Sequence, residues 1–228
     1  MHMRLRTDVQ KWLAPLLQAA RTQWAGYATQ PLPGGRGGAR VVPAHAVVVR
    51  PYRRGGLPAW LLHDTYLGWS PRPFRELYVM STLQARAAPV VEVYGAAVEH
   101  LLPGCYRGWL ATRYMDGART FWEWASTSPP PTERGQVLRD IGKAIRRLHA
   151  CVARHPDLNA NNILLCPTDG VLFIDFDRAR LTTPGEPSVG DLERLWRSLR
   201  KLDPQERYVS AADFAILRTA YEAAPACA

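Results

Sequence analysis

His155-Pro156-Asp157-Leu158-Asn159-Ala160-Asn161-Asn162-Ile163-Leu164-Leu165 and, further on, Phe173-Ile174-Asp175-Phe176-Asp177 decide how this chain is read. Between them, two short apolar runs, Ile163-Leu164-Leu165 and Val171-Leu172-Phe173-Ile174, flank Pro167-Thr168-Asp169-Gly170. Apolar runs on either side of such a turn predict a β-hairpin. A hairpin returns the chain on itself, so the Asp157 loop and Asp175 are expected at the same end. Two acids and an amide that are separate in sequence then become neighbours in space.

Those residue types meet a specific chemical need. Phosphoryl transfer to an alcohol requires a carboxylate that orients the hydroxyl and accepts its proton, together with hard oxygen ligands that hold Mg2+ against nucleotide phosphates. Asp157 fits the first role, and Asn162 and Asp175 fit the second. Asn162 stands in the pattern H-x-D-x-x-x-x-N, and Asp175 closes an apolar strand and precedes Phe176, as in a kinase D-F-G segment, with Asp177 in place of glycine. Each motif alone is common, and a lone Asp-Phe-Asp is an ordinary turn or helix cap; the spacing and the intervening hairpin together favour an active site. His155 is expected to buttress the loop by hydrogen bonding. Asn159 stands where many protein kinases carry lysine, which argues against a protein substrate. Arg178 and Arg180 either meet an anionic group of an acceptor or form a solvated charge run, and Asp177 either assists a metal or caps the next segment.

Outward from this stretch, Val137, Ile141, Ala144, Ile145 and Leu148 recur at helical spacing, and helices are expected again over 189–201 and 211–222. The first half is richer in strand signals. Pro31-Leu32-Pro33-Gly34-Gly35-Arg36-Gly37-Gly38 is a breaker cluster, followed by Val41-Val42, a Pro43-Ala44-His45 turn and Val47-Val48-Val49, which together read as a Gly-rich loop leading into a hairpin. Ala59 to Leu62 resumes an apolar strand or begins a helix. Phe74, Leu77, Tyr78 and Leu83 predict a helix over 72–86 that contains Glu76. Strands over 90–98 and 109–115 are joined by a Pro103-Gly104 turn. At the N-terminus, Trp12, Leu13, Leu16, Leu17, Ala20, Trp24 and Tyr27 predict an amphipathic helix over 8–27 with Asp8 as its cap; a helix packed on the core is favoured over one lying on a membrane.

The chain has 228 residues, 47% of them hydrophobic and 21% charged, which is ordinary globular usage and excludes collagen-like, coiled-coil and low-complexity classes. No apolar run approaches the roughly 18 residues of a spanning helix. The net charge of +9 comes from arginine with only three lysines, Lys11, Lys143 and Lys201. Arginine's planar fork suits phosphate and carboxylate partners, although an arginine-rich genome is an equal explanation. The four cysteines show no C-x-x-C spacing and the first residues lack the apolar core of a secretory signal, so a reducing cytoplasm and no structural zinc are expected.

The motifs at 155–164 and 174–178, with Arg50-Pro51-Tyr52-Arg53-Arg54-Gly55-Gly56, resemble the lipopolysaccharide kinase family of the protein-kinase-like superfamily, in particular its 3-deoxy-D-manno-octulosonic acid (Kdo) kinases. The resemblance covers nearly the whole chain after residue 30. It implies an α+β, protein-kinase-like two-lobed fold: an N-terminal antiparallel sheet lobe with one main helix over 1–115, and a mainly α-helical C-terminal lobe over 116–228, with ATP between them. It also implies ATP-dependent phosphorylation of the 4-hydroxyl of Kdo in Kdo-lipid A by a peripheral protein at the cytoplasmic face of the inner membrane. Its partners would be that lipid-linked sugar and an anionic membrane surface, with no nucleic acid and no obligate protein partner.

Within that frame Asp157 is the catalytic residue, and Asn162 and Asp175 are the Mg2+ ligands. Gly35, Gly37 and Val42 follow G-x-G-x-x-G-x-V except at its third glycine, and are expected to contact the nucleotide. No lysine lies between residues 12 and 142, so Arg50, paired with Glu76, is the candidate for the usual phosphate-binding lysine, with Arg53 or Arg54 as alternatives. The absence of an A-P-E element argues against a phosphorylation-controlled activation loop. The rival readings are a kinase for a heptose, an aminoglycoside or choline, and a non-catalytic pseudokinase or arginine-rich nucleic-acid-binding module.

Overall fold

The computed structural model describes residues 1–22, 24–32, 38–53, 64–151, 153–182 and 189–224. The chain forms two compact units, residues 1–81 with 92–115, and residues 82–91 with 116–228. The α+β class expected from the sequence is observed, with an antiparallel sheet in the first unit and mostly helices in the second.

The first unit contains β1 (His2–Leu5), α1 (Gln10–Arg21), β2 (Gln30–Pro31), β3 (Arg40–Val42), β4 (Val47–Pro51), β5 (Tyr66–Leu67), most of α2 (Arg72–Ala85), β6 (Val93–Leu102) and β7 (Cys105–Arg113). Its strands run in the order β1-β6-β7-β4-β3-β2, with β5 also paired to β7. Alternation along β4 places Val47 and Val49 on one face, where they join Val42, Ala97, Trp109 and Ala111 in a floor for α1. Leu13, Leu16 and Leu17 of α1 are fully buried on that floor, each contributing about 1.5–3 kcal/mol of apolar burial. The core-packed reading of this helix therefore holds.

Its ends differ from expectation. Asp8 is not the cap, because its carboxylate is taken by the Arg6 guanidinium at 2.6 Å, and Val9 occupies the cap position without a side-chain bond. The helix stops at Arg21; Trp24, at φ 68°, has turned the chain, yet Trp24 and Tyr27 still pack against the same cluster. Strand β1 went unpredicted: its partner is β6, far along the chain, with Met3 opposite Ala97. Only the alternation of Met1, Met3 and Leu5 hinted at it.

The β3–β4 hairpin forms as the sequence predicted, with Pro43–His45 as one 3-10 turn. The β6–β7 hairpin extends further than predicted, to a Leu102–Cys105 pair around Pro103 and Gly104, the latter at φ 74°. In α2 the buried stripe is Pro73, Glu76, Val79, Met80 and Leu83, and Tyr78 is 64% exposed, so the apolar face lies to one side of the predicted one. Ala59 to Leu62 lie outside the described residues.

The second unit holds β8 (Arg119–Thr120), α3 (Phe121–Ala125), α4 (Pro131–Ala150), β9 (Ala153–Arg154), β10 (Ile163–Cys166), β11 (Gly170–Phe173), β12 (Arg180–Leu181), α5 (Val189–Leu202) and α6 (Ala211–Ala223). The division expected after residue 115 needs one amendment, since residues 82–91 group with this unit. The reason is backbone pairing: Phe173 N–H donates to the Pro89 carbonyl at 2.9 Å and Val91 N–H to the Phe173 carbonyl at 3.2 Å. The predicted β10–β11 hairpin is present, Ile163 opposite Phe173 and Cys166 opposite Gly170, with β8 on its edge and β9 paired to β12. Helix α4 buries Leu138, Ile141, Ala144, Ile145 and Leu148, close to the predicted stripe.

Candidate active site

The loop from His155 to Asn162 is shaped by its own polar groups. Leu158 N–H donates to the His155 carbonyl at 2.9 Å and Asn162 N–H to the Asn159 carbonyl at 3.0 Å, while Leu158 and Ala160 are buried beneath. Asn159 folds back on the loop: its Nδ2 donates to the Asp157 carbonyl at 2.8 Å and its Oδ1 accepts from Asn161 N–H at 2.9 Å. Asn162 Nδ2 donates to the same Asp157 carbonyl at 2.9 Å, which fixes the amide and leaves Oδ1 as its side-chain acceptor.

The β10–β11 hairpin then performs the convergence that the sequence implied. Ile174 N–H donates to the Asn162 carbonyl at 3.1 Å, so the residue before Asp175 is bonded to the residue five after Asp157. Asp175 has φ 65°, a left-handed conformation that aspartate tolerates better than most residues. There the chain turns so that Phe176 is fully buried while Asp175 stays half-buried. Asp157, Asn162 and Asp175 are thus brought into one hydrogen-bonded frame.

His155 locks that frame. It is 1% exposed, its ring lies 4.7 Å from that of Phe176, and Nε2–H donates to the Ile174 carbonyl at 2.9 Å, which sets the tautomer. Nδ1 is buried with no hydrogen-bond partner among the described residues. Burial pushes the imidazole below its ordinary value of 6.5, against the pull of the Ile174 carbonyl and of the charges on Asp175, Asp191 and Asp157. A neutral, buried ring is a buttress, as the sequence indicated.

Sequence reading missed Asp191, the anchor behind this loop. It is buried in the first turn of α5, where its Oδ2 accepts from His155 N–H at 3.0 Å and pairs with His149 Nε2 at 3.2 Å, and its Oδ1 accepts from Arg194 at 3.1 Å. Burial disfavours its charged form, but the bonds from His149 and the His155 N–H, with the nearby positive charge, outweigh it and hold the carboxyl below its ordinary range. Tyr221 of α6 completes the chain at 2.9 Å from His149 Nδ1. Nothing local marks Asp191; its partners lie 36 and 42 residues away.

On the solvent side, Arg178 Nε lies 3.6 Å from Asp157 Oδ2, with the two side chains 68% and 42% exposed. Arg180 in β12 stands opposite Arg154 in β9.

The first unit holds the other expected group. Alternation in β4 sends Arg50 to the face opposite Val47 and Val49, and there one of its terminal nitrogens sits 2.7 Å from both carboxylate oxygens of Glu76, whose side chain is fully shielded. Tyr52 donates its hydroxyl to the same carboxylate, and the Arg50 guanidinium stacks 5.0 Å from the Tyr52 ring centroid. The pairing of Arg50 with Glu76 drawn from sequence is present.

Val42 requires correction. It is 1% exposed and belongs to the cluster under α1, on the face opposite Arg50; Val41, cross-strand from Val48, shares Arg50's face. The motif pattern ignored this two-residue alternation. Gly35, Gly37 and Arg54 lie outside the described residues. Arg53 itself packs its guanidinium over Gly38, where an added Cβ would come within 2.7 Å of it.

The lipopolysaccharide kinase (Kdo/WaaP) family model matches residues 25–221. Among curated relatives, a 3-deoxy-D-manno-octulosonic acid kinase of Xanthomonas campestris pv. campestris is 36% identical over 212 residues, covering 89% of this chain and 82% of the relative. Another of the same description, from Stenotrophomonas maltophilia, is 34% identical over 210 residues, covering 88% and 82%. Among solved structures, WaaP in complex with acyl carrier protein superposes with a TM-score of 0.60 at 14% identity, covering 99% of this chain and 90% of that one. Glucosamine kinase in complex with glucosamine, ADP and inorganic phosphate gives 0.54 at 12% identity, covering 97% and 66%. These two likenesses concern the fold.

Proposed function

This chain belongs to the lipopolysaccharide kinase (Kdo/WaaP) family, and from that premise we propose that it transfers the γ-phosphoryl group of ATP to the 4-hydroxyl of Kdo in Kdo-lipid A. Asp157 orients the sugar hydroxyl and accepts its proton. Asn162 through Oδ1 and Asp175 through its carboxylate are the ligands this chain offers to Mg2+. Among the described residues no three His, Cys, Asp or Glu side chains gather into a metal cage, and one amide with one carboxylate suits an ion that keeps phosphate and water ligands. Bound there, the ion would neutralise charge on the transferring phosphate. Arg50, held by Glu76 and Tyr52, is assigned to the nucleotide phosphates, and Gly35 and Gly37, outside the described residues, are assigned to nucleotide contact on their sequence pattern alone. His155 and Asp191 position the loop, and Arg178, beside Asp157, is assigned to an anionic group of the acceptor. Catalysis in this reading is positioning and charge stabilisation.

The observation that supports it is the pair of hydrogen bonds made by Asn162, whose side-chain amide donates to the Asp157 carbonyl and whose main-chain carbonyl accepts from Ile174 N–H, next to Asp175. Because the acceptor is lipid-linked, the enzyme is expected at the cytoplasmic face of the inner membrane as a peripheral protein. Mass spectrometry of Kdo-lipid A incubated with ATP, Mg2+ and the protein should show one added phosphate on Kdo. Asp157→Asn should lower turnover by about 10³-fold while ATP still binds, and Asp175→Asn should weaken Mg-ATP binding as well. Full turnover in both variants refutes the residue assignment; phosphorylation of a heptose or aminoglycoside but not of Kdo refutes the substrate.

A further inference from the structure

Four of the five large apolar side chains exposed among the described residues gather at one place in the first unit: Leu67 at 59%, Trp69 at 85%, Leu101 at 40% and Leu102 at 67%. Leu101 and Leu102 end β6, and Leu67 pairs with Cys105 across the β5–β7 ladder. Gly68 N–H donates to the Gly104 carbonyl at 2.8 Å, which ties the two segments together, and Trp69 Cζ2 would be 3.8 Å from a Cβ at Gly104. The result is a hydrogen-bonded wedge with Trp and Leu on its end. From His100 to Tyr106 and from Leu67 to Ser70 there is no Lys, Arg, Asp or Glu. At its base Asp64 and Arg107 are paired at 2.9 Å, and Glu99, cross-strand from Arg107, is paired with Arg21.

We propose that this wedge docks the enzyme onto an anionic lipid bilayer, with Trp69, Leu67, Leu101 and Leu102 inserted into the interfacial layer. The inference rests on the reading of a lipid-linked acceptor. Helix α1, the other amphipathic element considered for a membrane, has its leucines buried on the sheet, and among the described residues no helix is long and apolar enough to cross a membrane. An uncharged end loses no ion hydration on insertion, tryptophan favours the headgroup boundary, and the net charge of +9 draws the chain to anionic headgroups over a longer range. A protein partner fits less well, since a stable interface takes about 800 Å2 from each side and a hairpin end presents a narrow wedge.

The test is co-sedimentation of the full chain with vesicles of phosphatidylglycerol and phosphatidylethanolamine, without nucleotide or acceptor. Wild type should bind, and Leu102→Asp and Trp69→Ala should each lower the bound-to-free ratio by about tenfold or more, with unchanged thermal unfolding. As a check that needs no disruptive change, brominated acyl chains should quench emission in wild type that Trp69→Phe has already lost. Vesicle binding equal to wild type in both variants, or no binding by wild type, overturns the proposal. So does a concentration-dependent dimer that Leu102→Asp abolishes while vesicles are ignored. No turnover enters this assay, so its failure leaves the kinase assignment standing, and failed phosphoryl transfer leaves vesicle binding as measured.

Discussion

Glu76 is a carboxylate set in the buried stripe of a helix, with Arg50 as its cation and Tyr52 as a further donor. Removing the guanidinium takes the paired cation from a shielded carboxylate, so Arg50→Ala should destabilise the fold by about 2–4 kcal/mol in urea unfolding. The double change Arg50→Met with Glu76→Leu should recover all but about 1 kcal/mol yet leave phosphoryl transfer impaired, which separates a structural from a nucleotide-binding role. His155 gives a second prediction at this scale. Burial holds it neutral below 6.5 in the fold, whereas the unfolded chain takes up that proton as pH falls through 6.5. The fold therefore loses stability on acidification from 6.5 towards the depressed folded value, by at most about 1.4 kcal/mol per pH unit. His155→Gln should flatten that slope in unfolding measured between pH 7 and 5. The acids and the amide proposed for the site stand out in the sequence by type and spacing, and the hairpin between them was legible too. Val42 was misread because a motif pattern carries no record of which face of the strand a residue takes.

At the scale of elements, α4 and α6 meet so closely at Gly142 that an added Cβ would overlap the Leu217 carbonyl and lie 3.0 Å from Tyr221 N. An alanine in mid-helix usually gains about 1 kcal/mol over glycine. Here the obstruction is backbone, which cannot swing aside, and Gly142→Ala should cost about 1–3 kcal/mol by overpacking, read as a lower unfolding midpoint. Both hairpins that organise the molecule were readable, since Pro167 to Gly170 and Pro103-Gly104 are turns between apolar runs. Strand β1 was not, because it is short and its partner lies some ninety residues on, and pairing over that distance leaves no local trace. The end of α1 was misplaced for a related reason: Trp24 and Tyr27 continue the apolar pattern by packing on the same cluster after the chain has left the helix.

For the whole molecule, the buried acids Asp203 and Asp191 contribute to the response to strong acid. In Asp203 burial opposes the charge, but N–H groups of Tyr208, Val209 and Arg207 prevail and hold the carboxyl below its ordinary 3.8; Asp191 behaves likewise through His149 and His155. A depressed carboxyl stabilises the fold above 3.8, and that contribution disappears as pH falls through the folded value. Asp203→Asn should therefore be about 1–3 kcal/mol less stable at neutral pH, with the gap from wild type closing below pH 3.8 in acid-unfolding curves. Asp191 also shows what sequence reading leaves out: its worth lies in joining α4, α5 and the His155 loop, and a relation among three elements is invisible until they are folded together.

The guanidinium held by Glu76 has a practical consequence for chemical proteomics. Acyl-phosphate nucleotide probes capture kinases by acylating an amine beside the triphosphate, and this chain has none between residues 12 and 142. A guanidinium keeps its proton at any usable pH and does not acylate. On the proposed assignment of Arg50 to the nucleotide phosphates, surveys built on such reagents should pass over this enzyme even when it is abundant and saturated with nucleotide, and installing Arg50→Lys should make it detectable.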